Sequence, residues 1–319
     1  MKYRRLGKAG LKVSEISLGS WLTFGGGVRD EVARACIRRA FELGVNLFDT
    51  ADVYSRGAAE ECLARELSAF RRQELVLATK LYFPMSESVN DRGLSRKHVF
   101  ESVHGSLKRL RTDYIDLYQC HRLDDEVEVS EIVRAMDDLI RQGKVLYWGV
   151  SEWPAAAIDD AYQWAFALNA YPPASNQPEY SIAARRVETN GVQKTCLEKG
   201  LGMIVWSPLK QGILTGKYAG GRVPPGSRAG DPHMNLFLKE IDRDLAERVE
   251  RLRPIAQGHG MTLAQLAIAW LLQREGVSSV IIGATRVEQV NENIVAAKFE
   301  LTAADVAQID EIFPAPENP

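Results

Sequence analysis

Three titratable residues each end a short apolar stretch, and a tyrosine lies in the loop after the first of them. Asp49 ends NLFD, Lys80 ends LVLATK, His121 ends IDLYQCH, and Tyr54 follows Asp49 in the segment DTADVY. In parallel α/β proteins, reacting groups lie where buried strands end and in the loops that follow. Burying an ammonium group without a partner is very costly, so we expect Lys80 to pair with Asp49.

Together these four side chains predict general acid catalysis. A phenol has an ordinary pKa of about 10, and a nearby ammonium lowers that pKa by stabilising the phenolate. Tyr54 would donate a proton, Asp49 would hold Lys80 in place, and His121 would orient a carbonyl oxygen or help to pass the proton. Hydride addition to a ketone or aldehyde creates an oxygen that needs such a proton. One histidine, one aspartate and one lysine form a poor ligand set, so no metal is expected.

Each of these residues also has a purely structural interpretation. Asp49 would be a capping residue, or would tie two neighbouring strands together by pairing with Lys80. His121 would be an ordinary strand-end histidine, and Tyr54 a half-buried loop aromatic. Their joint occurrence at successive strand ends is what favours catalysis over packing.

Composition and charge exclude several classes of protein. The chain has 319 residues, of which 45% are hydrophobic and 26% charged, and its net charge is −2. These values are typical of a globular protein and give no basic surface for nucleic acid and no segment for membrane insertion. The four cysteines are scattered without a CxxC pair, so neither a zinc site nor a redox motif is expected. We expect a cytoplasmic protein with reduced thiols.

The hydrophobic pattern predicts a single-domain (β/α)8 barrel, a TIM barrel, over residues 1–319. Eight short strands, apolar on both faces and mostly followed by helices, are typical of a closed parallel barrel. The predicted strands cover residues 16–19, 45–48, 75–80, 115–121, 145–150, 175–177, 203–206 and 280–283. Asp30 and Ser95 are predicted to begin helices, and Thr262 with Gln265 has the spacing of a capping box. Residues 209–240 form the longest insertion, rich in glycine and proline.

The chain resembles the aldo-keto reductases. The segment GVNLFDTADVYSRGAAEECLARELS resembles the family's second strand and tyrosine loop, and Asp49, Tyr54, Lys80 and His121 match its catalytic tetrad. The segments VLYWGVSEW, WSPLKQGILTGKY and GVSSVIIGATRVEQVNENI resemble most the branch that contains the β-subunits of voltage-gated potassium channels. In animal members of that branch the fourth tetrad position is commonly Asn, whereas this chain has His121.

No Rossmann fingerprint or P-loop is present, so the resemblance implies that barrel loops hold NADP(H). The resemblance implies that Ser151, Asn176 and Gln177 contact the nicotinamide carboxamide and that Trp206 contacts its ring. It further implies that residues 209–240 extend over the cofactor, with Arg228 closing the loop. The other residues implied to bind the cofactor are Trp21, Asp49, Ser207, Pro208, Leu209, Gln211, Gly212, Lys217, Gly283, Thr285, Arg286, Gln289, Glu292 and Asn293.

The end of the last strand indicates NADPH over NADH. Gly283 to Arg286 leads directly into a helix, whose amino-terminal N–H groups attract phosphate. Thr285 and Arg286 add a hydroxyl and a fixed positive charge, which suit the adenosine 2′-phosphate. The alternative is that Arg286 is a solvated residue paired with a neighbouring glutamate.

Aromatic residues are predicted to line the mouth of the barrel. Trp21, Tyr54, Tyr82, Phe83 and Trp153, together with His121, suggest an uncharged rim suited to apolar or aromatic aldehydes and ketones. No arginine in the rim is expected to receive a carboxylate. Each aromatic could instead pack within its loop.

Two functions therefore remain open on sequence grounds. The first is NADPH-dependent reduction of a small-molecule carbonyl, with oxidation of the alcohol using the same residues. The second is a regulatory subunit that senses cofactor with slow or no turnover, for which the intact tetrad is unfavourable. The opening segment leads straight into the barrel, so no inactivation-type extension is expected. The resemblance also allows a homo-oligomer, a tetramer or larger.

Overall fold

The computed structural model describes residues 1–231, 235 and 242–317. Eight parallel strands form a closed barrel in the order β10-β3-β4-β5-β6-β7-β8-β9, which confirms the predicted (β/α)8 fold. Two short antiparallel strands, β1 (Tyr3–Arg5) and β2 (Lys12–Ser14), precede them. The barrel strands are β3 (Ile16–Gly19), β4 (Leu47–Asp49), β5 (Val76–Leu81), β6 (Ile115–Cys120), β7 (Val145–Ser151), β8 (Ser175–Gln177), β9 (Gly202–Val205) and β10 (Val277–Ile282).

Helices surround the barrel because each strand is apolar on its outer as well as its inner face. The described α-helices are α1 (Asp30–Glu42), α2 (Ala58–Leu67), α3 (Arg96–Leu110), α4 (Val129–Arg141), α5 (Ala155–Ala167), α6 (Arg186–Thr189), α7 (Val192–Lys199), α8 (Arg243–Arg251), α9 (Arg253–Gly258), α10 (Leu263–Leu272), α11 (Val287–Val295) and α12 (Ala303–Ile312). Within the barrel, apolar side chains such as Leu47, Leu117 and Ile204 pack against Leu6 and Val13 of the amino-terminal hairpin. The hairpin therefore fills the interior from the end opposite to the strand carboxyl ends.

Most predicted helix starts agree with the structure, and one is wrong. Ser95 accepts a hydrogen bond from the His98 N–H at the start of α3, and Thr262 with Gln265 forms the predicted capping box. Asp30 does not cap α1: Arg29 occupies the N-cap position without a side-chain bond, and Asp30 is the first helical residue. There its carboxylate still interacts favourably with the positive end of the helix dipole.

Strand β10 begins at Val277, three residues before its predicted start, because Val277 and Ser279 pair with Met203 and Ile204 of β9, with a register shift at Ser278. All four cysteines are buried and free. No helix among the described residues is both long and apolar enough to span a bilayer. Of the predicted insertion 209–240, residues 232–234 and 236–240 lie outside the described residues.

Candidate active site

Lys80 lies at the centre of the carboxyl-terminal end of the barrel, with no exposed surface. Its Nζ donates to Asp49 Oδ1 at 2.6 Å, to the Thr50 carbonyl oxygen at 2.7 Å and to the Tyr54 hydroxyl at 3.4 Å. The predicted Asp49–Lys80 pair is therefore present, and three partners satisfy the three ammonium hydrogens. The ammonium also lies 4.9 Å from the centroid of the Tyr54 ring.

The loop that carries Tyr54 is held by an unusual backbone. Tyr54 begins a 3-10 turn, Tyr54–Gly57, in which Ser55 and Arg56 have positive φ angles. Gly57 follows with φ +91°, and a Cβ there would lie 2.5 Å from the Arg109 side chain. Only glycine combines that backbone with so close an approach, so this position fixes how Tyr54 enters the site.

Two buried amides, Gln119 and Gln177, complete the surroundings of Asp49. Gln177 Nε2 donates to Asp49 Oδ2 at 2.8 Å, and Gln119 Nε2 lies 3.4 Å from the same oxygen. Gln119 pairs with Lys80 in the register of β5 and β6, which explains its position. The sequence analysis did not single out Gln119 for the site. Its one signal was a polar residue inside the otherwise apolar stretch IDLYQC.

His121 lies in an aromatic cluster beside Tyr54. Its ring centroid is 5.7 Å from that of Tyr54 and 4.9 Å from that of Phe83, and Tyr82 packs 5.2 Å from Phe83. The His121 Nδ1 atom is buried and has no hydrogen-bond partner among the described residues. An unsatisfied ring nitrogen beside a candidate acid is a group that a bound carbonyl or water would satisfy.

Burial controls the protonation of these groups. It raises the pKa of the Tyr54 phenol above its ordinary value, although the Lys80 charge opposes the rise. The predicted net lowering by the ammonium is therefore wrong, because desolvation outweighs the charge. Burial lowers the pKa of Lys80, but Asp49 and Tyr54 raise it by more, so Lys80 stays charged. Burial and the charges of Lys80 and Arg122 hold the pKa of His121 well below 6.5, so its ring is neutral.

Only two of the three residues implied to hold the carboxamide, Ser151 and Gln177, come together. Ser151 Oγ donates to the Gln177 carbonyl oxygen at 2.9 Å, so these two lie side by side. Asn176 points to the opposite face of its strand, where its Nδ2 lies 3.9 Å from Cys196 Sγ in α7. Trp153, expected in the rim, is 1% exposed and packs within the core. Asn176 is turned away from the mouth, since neighbouring side chains along a strand alternate in direction.

The segment after β9 is a tight turn that contains several left-handed residues. Ser207, Lys210 and Gln211 have φ angles of +58°, +43° and +57°, and Gly212 follows at +96°. The Lys210 and Gly212 N–H groups donate to the carbonyl oxygens of Ser207 and Leu209, both at 2.9 Å, which closes the turn. Gln211 Oε1 is buried and without a partner among the described residues. Pro208 and Leu209 lie within this segment, and the Lys217 side chain packs against Gly212.

The described part of the long insertion folds back over the barrel mouth. The Arg228 guanidinium lies 5.7 Å from the centroid of the Trp21 ring. The Ala229 N–H donates to the Tyr218 hydroxyl at 3.2 Å, and this bond anchors the segment that carries Arg228. Arg228 and Trp21, which are far apart in sequence, therefore lie close together.

The last strand ends at the amino terminus of α11. Gly283 is exposed, and the Thr285 N–H and hydroxyl both bond to Gln289 Oε1, at 2.7 and 3.2 Å. Arg286 is exposed at the N-cap position, and it has no ion pair among the described residues, so the alternative pairing with a glutamate is absent there. Further along α11, the Glu292 carbonyl oxygen accepts from Gln265 and Asn293 is buried.

Glu152 is a second residue that the sequence analysis missed. It has a φ of +57°, and its Oε1 accepts from Trp206 Nε1 at 2.9 Å and from the Glu179 N–H at 2.5 Å. The carboxylate therefore fixes the indole of Trp206 at the end of β9. No local signal marked Glu152, since its partners lie two strands away.

Comparisons with known proteins agree with this geometry. A model described as the Aldo/keto reductase family matches residues 15–313. A protein from Oryza sativa subsp. japonica called "Probable voltage-gated potassium channel subunit beta" is 43% identical over 299 residues, covering 93% of this chain and 91% of its own length. A protein of the same description from Arabidopsis thaliana is 44% identical over 301 residues, with the same coverage.

Proposed function

Because this chain belongs to the aldo/keto reductase family, we propose that it reduces aldehydes or ketones with NADPH and that Tyr54 donates the proton. The observation that carries the proposal is the buried Lys80 ammonium, which contacts both Asp49 Oδ1 at 2.6 Å and the Tyr54 hydroxyl at 3.4 Å. A cation fixed beside a phenol stabilises the phenolate that remains after the proton has left.

The protonation states support this division of roles. The raised pKa of Tyr54 keeps the phenol protonated at neutral pH, as a proton donor must be. The neutral His121 ring can donate or accept one hydrogen bond and so orients the carbonyl oxygen toward Tyr54. Asp49, held by Gln177 at 2.8 Å, keeps Lys80 in place and does not itself react.

The hydrogen-bond donors and cations at the barrel mouth suit a dinucleotide cofactor. When bound, the cofactor supplies the hydride. The positive-φ segment 207–212 and the Lys217 ammonium would hold the pyrophosphate. Ser151 and Gln177 would bind the carboxamide, Trp206 would lie against the nicotinamide, and Arg228 would close over it. Gln289, Glu292 and Asn293 of α11 would lie on the adenine side.

Arg286 supports a preference for NADPH. It is an exposed cation at the start of α11, without an ion pair among the described residues, and Thr285 beside it carries a hydroxyl. A 2′-phosphate there gains both the guanidinium and the helix amino terminus. The reductase KM should be lower for NADPH than for NADH, and Arg286→Ala should remove the difference. Equal use of both cofactors by the unmodified protein contradicts this preference.

NADPH consumption against a panel of aldehydes, ketones and quinones tests the function directly. We expect turnover of several aromatic or apolar members. Tight NADPH binding without turnover of any member would refute the reductase proposal.

That last outcome would favour the second candidate, a cofactor-sensing regulatory subunit. The observation behind it is that two relatives, covered over 91% of their length, are described as channel β-subunits. His121 and the intact tetrad favour turnover instead. Light scattering after size-exclusion chromatography tests the homo-oligomer, a tetramer or larger, that either function would share.

A further inference from the structure

A half-buried arginine, Arg122, lies in the rim where none was expected. It directly follows His121, and its Nη1 donates to the His121 carbonyl oxygen at 2.5 Å. Its guanidinium lies 5.6 Å from the centroid of the Phe83 ring. The expectation of an uncharged rim is therefore wrong at this position.

Arg122 lacks a carboxylate partner among the described residues, in contrast to several other arginines that are at least partly buried. Three of those form close pairs: Arg72 with Asp116, Arg109 with Glu60, and Arg185 with Glu188. No ion pair involves Arg122 in the part of the chain that the structure describes. The nearest acids in sequence do not serve it: Asp124 accepts from the backbone N–H groups of Leu94 and Glu126, and Asp125 is exposed.

A row of aromatic contacts connects the guanidinium to the reacting groups. Phe83, over which it lies, packs 4.9 Å from His121, and His121 packs 5.7 Å from Tyr54. The charge of Arg122 is felt at both, since it contributes to lowering the pKa of His121 and opposes the rise in that of Tyr54. A substrate whose carbonyl oxygen meets Tyr54 would therefore extend past Phe83 toward Arg122.

We infer that Arg122 binds a negatively charged group on the carbonyl substrate, so that carboxylate-bearing aldehydes and ketones belong to the substrate class. The inference rests on the proposed reductase function. The planar guanidinium matches a carboxylate with two parallel hydrogen bonds. Its half-buried position strengthens that attraction relative to bulk water. The Phe83 ring offers an apolar surface to the carbon skeleton between the two ends.

Two aldehydes of similar shape test the charge alone: 4-carboxybenzaldehyde and its methyl ester, methyl 4-formylbenzoate. The kcat/KM for the acid should fall about 10- to 100-fold in Arg122→Gln, as expected for loss of a charged hydrogen bond. The kcat/KM for the ester should fall much less than that for the acid, and Arg122→Lys should restore part of the activity toward the acid. Arg38→Gln, an exposed change of the same charge on α1, should affect neither aldehyde.

Equal losses for acid and ester, or no loss for either, would overturn the inference. Turnover of other panel members without turnover of either aldehyde would overturn the inference alone. If no panel member is turned over, the reductase proposal fails, and Arg122 is then judged by binding. Calorimetry with benzoate and benzamide in the presence of NADP+ needs no turnover. Benzoate should bind more tightly than benzamide, and only in proteins that retain Arg122. Equal affinity of Arg122→Gln for benzoate would refute the role of Arg122.

Discussion

The two sides of the barrel mouth are built in different ways. On one side, Asp49, Lys80 and Gln119 belong to barrel strands, are buried, and are fixed by strand register. On the other side, residues 207–230 form irregular backbone with several positive φ angles, and Arg228 meets the barrel mainly through Trp21. The difference agrees with the proposed function, in which the side that moves protons is rigid and the side that covers the cofactor is held by a few contacts.

Removing the proton donor should have the largest effect. Tyr54→Phe keeps the ring that packs 5.7 Å from His121 but deletes the hydroxyl beside Lys80. We expect kcat for aldehyde reduction to fall by about 10²- to 10⁴-fold. The NADPH dissociation constant, measured by fluorescence titration, should stay nearly unchanged because residues 207–230 are untouched. Unchanged turnover would overturn the role of Tyr54.

Breaking the buried ion pair should cost stability as well as activity. Lys80→Met leaves Asp49 buried with only the amides of Gln119 and Gln177 near it. Loss of one partner of a buried pair costs about 3–5 kcal/mol, so the free energy of unfolding should fall by that order in a urea titration.

Two further variants separate the charge from the packing. In a Lys80→Met background, Asp49→Asn should recover part of the loss, since it removes the uncompensated charge. Lys97→Met, at an exposed pair with Glu101, should cost at most about 1 kcal/mol. If Lys80→Met and Lys97→Met cost the same, the rigid side is not held by its ion pair.

The rigid side was also the side that the sequence predicted. Asp49, Lys80 and His121 end apolar strands, and parallel strands bring their carboxyl ends together, so local pattern sufficed. Gln119, Glu152 and Arg122 were missed because their roles depend on strand register or on partners distant in sequence. Tyr54 was placed correctly, but the direction of its pKa depends on the depth of burial. Asn176 was implied by resemblance, and side-chain alternation turned it away. Trp153 was predicted in the aromatic rim but is buried in the core.

The buried carboxyl of Asp52, in the loop between Asp49 and Tyr54, should make the stability of the fold depend on pH. Burial, with the charge of Glu60, raises the pKa of Asp52 to about 7 from 3.8, although Ser102 donates to it. The native state therefore binds the proton more tightly than the unfolded state does. The resulting stabilisation is fully present below pH 3.8 and is lost as pH rises through about 7, at up to about 1.4 kcal/mol per pH unit.

Asp52→Asn should remove that dependence. The difference in melting temperature between the variant and the unmodified protein should favour the variant increasingly from pH 5 to pH 8. Taking the difference cancels the opposite contribution of His121, whose lowered pKa makes stability rise with pH. Asp113→Asn, an exposed control, should give a difference that is independent of pH. A pH-independent difference for Asp52→Asn would show that its carboxyl does not titrate in this range.

Substitution of Glu152, which lies where the two sides of the barrel mouth meet, should have the smallest effect on activity. Its carboxylate accepts from Trp206 Nε1 at 2.9 Å and so orients the first residue after β9. Glu152→Ala should raise the KM for NADPH about 2- to 10-fold, the cost of one hydrogen bond, with kcat nearly unchanged. Glu152→Gln keeps an acceptor oxygen and should recover most of the loss. In a Trp206→Phe background, Glu152→Ala should add little, because the contact is already absent. A fall in kcat with unchanged KM would instead place Glu152 on the proton-moving side.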